Sequence, residues 1–80
     1  MAIYVGLKLE EQDEDLRVYS FFRSNGSPYG RLAVDIRTEE VVLLEALDDR
    51  AEWFAFPRAC RALERSFRQG ELPDELCFAA

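Results

Sequence analysis

Apolar and polar residues alternate along most of the first half of the chain, the pattern of strands that bury one face. In residues 3–9, Ile3, Val5, Leu7 and Leu9 share one face, while Tyr4, Gly6 and Lys8 share the other. The acidic run from Glu10 to Asp15 interrupts this alternation and reads as a solvated hairpin loop. Residues 16–23, LRVYSFFR, supply the aromatic and β-branched side chains that suit a pleated surface. Asn25-Gly26, Pro28 and Gly30 then crowd into a short stretch, predicting a hairpin loop over 24–30, because tight reversals need positive φ and a pre-set proline angle. Residues 31–37 alternate most cleanly, with Leu32, Val34 and Ile36 opposed to Arg31, Asp35 and Arg37. After a Thr38-Glu39 turn, EVVLLEAL over residues 40–47 is apolar on both faces and reads as a more deeply buried strand.

The pattern changes period after Leu47. Asp48 and Asp49 offer capping oxygens, and Asp49 with Glu52 has the spacing of a capping box. Pro57 would cost about 3 kcal/mol inside a helix, so two segments are expected: a short turn near residues 50–54, then a main helix with Pro57 at its first position. At 100° per residue, Phe56, Ala59, Cys60, Leu63 and Phe67 form the stripe that would pack on a sheet. Gly70 supplies the left-handed cap and Pro73 lies beyond it, while Leu76, Cys77 and Phe78 offer a short fifth strand. Short links between four strands predict an antiparallel meander, and with one helix on one face the expected fold is an α+β two-layer sandwich.

Length confines this to one domain over residues 1–80, with net stability on the order of a few kcal/mol that oligomerisation would raise. At 49% hydrophobic and 32% charged the composition is that of a folded protein rather than a disordered one. The amino end has neither the basic region nor the apolar run of a secretory signal, and no stretch approaches a membrane span, so a soluble, cytoplasmic protein is expected. Cys60 and Cys77 are too few for a disulfide framework and read as reduced thiols acting as small hydrophobes, although a bridge between them is open.

Histidine is absent, which removes the usual general base, the Ser/His and Cys/His nucleophile pairs and the commonest transition-metal ligand. Asp35 and Glu45 are the remaining carboxylate pair to weigh, but exposed strand carboxylates are ordinary solubilising residues. Cys60 lies on the core side of its helix, where burial makes a thiol inert. The acidic run lacks the glycine and distal glutamate of a calcium loop, and no phosphate-binding glycine fingerprint occurs. No catalytic residue, cofactor, metal site or small-molecule substrate is expected.

Arg58, Arg61, Arg65 and Arg68 form a stripe on the predicted helix. Residues 57–69 carry +3 within a chain of net charge −6, leaving −9 elsewhere. The stripe reads in three ways: a solvated face paired with acids such as Glu64 and Glu71, an anchor for a protein partner, or a phosphate-binding surface. Surrounding acidity disfavours nucleic acid, since the negative charge lies within a few Debye lengths of about 8 Å each. If Ile3, Val5, Leu16, Val18, Leu32, Val34 and Ile36 face the helix, then Tyr4, Tyr19, Phe21, Ala33 and Leu43 are left on the uncovered sheet face. Such rings suit an interface. The expectation is therefore a non-catalytic acidic interaction module, either self-associating as a homodimer or acting as an inhibitor or immunity-type partner of a basic protein. A nucleic-acid binder using the arginine helix is the alternative.

Overall fold

The computed structural model describes residues 3–80. Its strands are β1 (Tyr4–Asp13), β2 (Leu16–Phe22), β3 (Pro28–Asp35), β4 (Val41–Ala46) and β5 (Glu75–Ala79), with helix α1 (Phe56–Arg68) between the last two. All pairings are antiparallel, in the order β4-β3-β2-β1-β5. The fold is the expected α+β sandwich, and the C-terminal strand is real, laid against β1. Among the described residues no helix is long and apolar enough to cross a membrane.

The acidic run is mostly strand rather than loop, since β1 continues to Asp13 and only Glu14 and Asp15 turn, with Glu14 at positive φ. A bulge between Leu9 and Glu11 shifts the β1–β2 register, so that Leu7 and Leu9 lie opposite Phe21 and Tyr19. Cross-strand partners share a face, and both rings are therefore carried to the helix side, where they are fully buried. Leu16 and Val18 go to the open face instead. Strand two is thus turned over relative to the expectation from sequence. LRVYSFF is apolar on both alternations, so its period leaves the face undecided, and the two large rings gain more by burial than Leu16 and Val18 do.

The helix meets the sheet through small side chains. Ala51, Ala55, Ala59, Ala62, Leu63 and Ser66 form its buried stripe, while Phe56, Cys60 and Phe67 lie half-buried along the flanks. The predicted stripe was therefore centred about one residue off the true contact line. The two expected segments are present, with Pro57 in the first turn of α1, but they run on without a break. Ala51–Ala55 instead form a π turn whose Phe56 N–H donates to the Ala51 carbonyl, and the widened turn relieves the crowding a proline causes. Asp48, not the Asp49–Glu52 pair, prepares the helix start: its Oδ1 accepts the Arg50 N–H at 2.7 Å. At the other end Gly70, at φ +79°, closes a Schellman motif, with Gly70 N–H on the Phe67 carbonyl and Glu71 N–H on that of Ser66.

Beyond the helix, two side chains steer the chain to the far edge of the sheet. Arg17 Nη1 donates to the Leu72 carbonyl at 2.6 Å and the Tyr19 hydroxyl to that of Pro73 at 2.8 Å. Leu76 and Phe78 then register against Leu7 and Val5 beneath α1. The helix runs along the sheet with one flank, Pro57, Arg58 and Arg61, beside Phe78 of β5 and the other, Cys60, Leu63 and Phe67, beside Val41 of β4, while the π turn before it packs on β3 and β4.

Candidate functional site

β4 was expected to be the more buried strand, yet it forms an edge. A meander leaves its last strand unpaired on one side, and β5 returns to β1 rather than covering β4. Val42 is 54% exposed, Leu44 and Leu47 are each 52% exposed, and Trp53 is 66% exposed. Of the exposed large hydrophobics among the described residues, only Tyr4 and Leu16 fall outside this segment. An edge strand with unprotected apolar side chains is a ready contact surface.

The backbone of this edge is partly available too. Asp35 N–H donates to the Glu40 carbonyl, so by the alternation of an antiparallel ladder Ala33 and Val42 exchange hydrogen bonds while Val41 and Leu43 turn their N–H and C=O groups outward. Leu44 is the extra residue of a bulge, since Leu43 pairs with Leu32 and Glu45 with Arg31. Opposite this stretch Gly30 is obligatory: a Cβ there would lie 2.0 Å from the Glu45 carbonyl oxygen. On the helix side of the edge lies a hollow of about 290 Å³ between Val41, Leu63, Phe67 and Cys60, rimmed by Glu39 and Glu64.

Trp53 stands on a rigid root. Its ring meets Phe54 edge-on at 5.7 Å; Phe54 lies 6.4 Å from Tyr29, and Tyr29 stacks at 6.2 Å on Phe21. Guanidinium groups close both sides of this column, Arg23 over Tyr29 and Arg58 over Phe54, each 4.1 Å from the ring centre. Arg23 also pairs with Asp48, tying the β2–β3 turn to the chain leaving β4. A second hollow, of about 330 Å³, opens between that turn and the π turn, with Tyr4, Arg23, Tyr29 and Arg50 in its wall.

The interface residues expected from sequence separate. Tyr4 is on the open face and 38% exposed, whereas Tyr19 and Phe21 are wholly inside and Leu43 points its side chain toward the core. Burial pushes the Tyr19 hydroxyl above its ordinary pKa, with the neighbouring Arg17 pulling the other way. The open face itself is largely closed by its own side chains: the Phe22 ring covers Gly6, where a Cβ would come within 2.5 Å of it. Across the middle runs a charged row, with Glu45 opposite Arg31 and Lys8 opposite Glu75. No aromatic patch of the expected extent remains.

The arginine stripe also divides. Arg58 is occupied by Phe54, donating to its carbonyl at 2.8 Å, and Arg68 pairs with Glu64 at 2.9 Å. Arg61 and Arg65 are exposed, with no carboxylate within 4.0 Å among the described residues. Glu71 takes no part.

Asp35 and Glu45 are not brought together. Asp35 ends β3 and its Oδ1 accepts the N–H groups of Arg37 and Thr38, which hold its carboxyl below the usual range, while Glu45 faces Arg31 four residues back, about 13 Å along the strand. Cys60 and Cys77 are both free and lie on opposite sides of the sheet layer. Burial, then Glu64, pushes the Cys60 thiol up. Cys77 is exposed, contrary to the expectation of a buried thiol. Among the described residues no cluster of three or more His, Cys, Asp or Glu side chains is placed to hold a metal ion.

Sequence reading overlooked Val42, Leu44, Leu47 and Trp53. The available signal was the run VVLLEAL followed by Trp53, more apolar than a single helix could cover. No family model, curated protein or solved structure matches this chain.

Proposed function

We propose that this chain is a non-catalytic protein-interaction module whose contact surface is the β4 edge with Trp53. The observation that carries this reading is the exposure of Val42 and Leu44 on a sheet edge that no described residue pairs with, followed directly by exposed Leu47 and Trp53 in the segment leaving that strand. Tryptophan rooted on a rigid aromatic column is the kind of anchor that dominates binding energies, because it buries a large area with little side-chain entropy to lose. A net charge of −6 supports the finer form of the proposal, an acidic inhibitor or immunity-type partner that steers a basic protein toward itself. The same charge makes a homodimer the weaker version.

The test is capture from an extract of the native cells, using the immobilised wild-type chain beside a Leu44→Lys, Trp53→Ala double variant with an unchanged melting profile. A protein retained by the first and not by the second is the expected result. Equal retention by both, or retention of nothing by either, overturns the proposal.

A further inference from the structure

Resting on the interaction reading above, the geometry points to the occupant of the β4 edge: an extended, cationic segment of another protein, added as a sixth strand beside Val41–Leu43. Three features of the edge select it. Val41 and Leu43 present outward N–H and C=O groups in the regular half of the strand, which one residue of a parallel incoming strand, or two alternate residues of an antiparallel one, can reach. Side chains of an added strand would then alternate between the two faces. One set would meet Val42 on the open side, and the other would enter the hollow beside Val41 and Phe67.

Charge sets the chemistry of those side chains. Residues 39–52 hold six acids (Glu39, Glu40, Glu45, Asp48, Asp49 and Glu52) and one base, Arg50, a net of −5 in sequence, of which Asp48 is paired with Arg23 and Glu45 lies opposite Arg31, leaving Glu39, Glu40, Asp49 and Glu52 for a ligand. Glu64 adds a further carboxylate at the rim of the hollow. Lysine or arginine interleaved with apolar residues matches this edge, with long stems on the apolar strip and ammonium or guanidinium groups toward the acids.

A second copy of the chain is the poorer fit. Two edges of −5 would be brought together, and the Leu44 bulge would interrupt the ladder of a strand pair running antiparallel to itself. A foreign segment needs only the short regular stretch, beyond which exposed Leu44 and Leu47 continue the apolar surface.

The experiment uses the whole chain, isotope-labelled, titrated with an acetylated and amidated peptide of about seven residues that alternates lysine and valine, the length of an ordinary strand. Saturable binding is expected, with amide hydrogen exchange slowed at Val41 and Leu43 by about tenfold or more and affinity falling as salt is raised. A glutamate–valine peptide of the same length is expected not to bind, and Val42→Lys is expected to weaken the lysine–valine peptide about tenfold without altering the melting profile. Four results would overturn the inference: no binding; binding that leaves Val41 and Leu43 exchange unchanged; equal binding of the glutamate–valine peptide; or slow exchange at both amides in the free chain with a sedimentation mass of a dimer. Any of these leaves the interaction reading to stand or fall on the capture experiment alone.

Discussion

β4 and β5 close the two ends of the same sheet, and they are finished in opposite ways. β5 lies against α1, Phe78 beside Pro57, Arg58 and Arg61, with Phe78 and Leu76 turned into the core and Glu75 and Cys77 outward. Its approach is fixed in advance, since Arg17 and Tyr19 hold the carbonyls of Leu72 and Pro73 just before the strand begins. β4 meets the π turn and, across the hollow at Val41, the Cys60–Phe67 flank of α1, and it keeps Val42 and Leu44 in solvent. One helix packs more closely on β5 than on β4, completing the β5 edge and leaving the β4 edge apolar. An edge of the first kind is concerned with stability, and the second kind is the surface proposed above for contact.

That division predicts where substitutions act. The heaviest loss is expected for Tyr19→Ser, which removes a fully buried ring and the hydroxyl that holds Pro73: about 3–5 kcal/mol, enough to unfold a domain of this size, read from denaturant unfolding. Phe78→Ala on the covered edge should cost about 3 kcal/mol in the same measurement. A loss below about 0.5 kcal/mol there would mean that β5 is not a structural edge.

Tyr19→Phe separates ring from hydroxyl, and leaving the Pro73 carbonyl without its donor should cost about 1 kcal/mol. The same residue governs alkaline behaviour. Its folded pKa lies above the ordinary tyrosine value of 10.0, so its contribution is complete below that pH and is lost as pH rises through the higher folded value. Unfolding midpoints followed to high pH should therefore fall more steeply for wild type than for Tyr19→Phe, and coincident curves would remove Tyr19 from the clamp. At the acid end Asp35 works with the opposite sign: its lowered pKa gives stability that is present above 3.8 and fades as pH falls below that value.

The smallest effect on stability belongs to the open edge. Leu44→Lys should shift unfolding by no more than about 0.5 kcal/mol, while abolishing capture of the partner when combined with Trp53→Ala. Large destabilisation by Leu44→Lys would show that β4 is completed by something already present in the free protein. Arg61→Glu with Arg65→Glu, tested in the same way, should leave both stability and partner capture near wild type. A salt-sensitive gain of nucleic-acid binding in wild type, lost in that variant, would instead transfer the function to α1.

Much of the architecture could be read directly from residue order. Alternation marks β1 and β3, Asn25-Gly26 and Gly70 mark a turn and a helix cap, and the absence of histidine narrows the chemistry. These are local signals, set by backbone sterics and by which side chains can share a face. Long-range decisions lay outside their reach. Whether LRVYSFF turned its rings in or out depended on the Leu9–Glu11 bulge and on pairing with a strand ten residues away, because each of its faces was apolar. Whether VVLLEA lay at the centre or the rim depended on where β5 landed. A chain apolar on both sides of a strand states how much surface it has to bury; only the order of strands in the sheet determines which part of that surface stays in water.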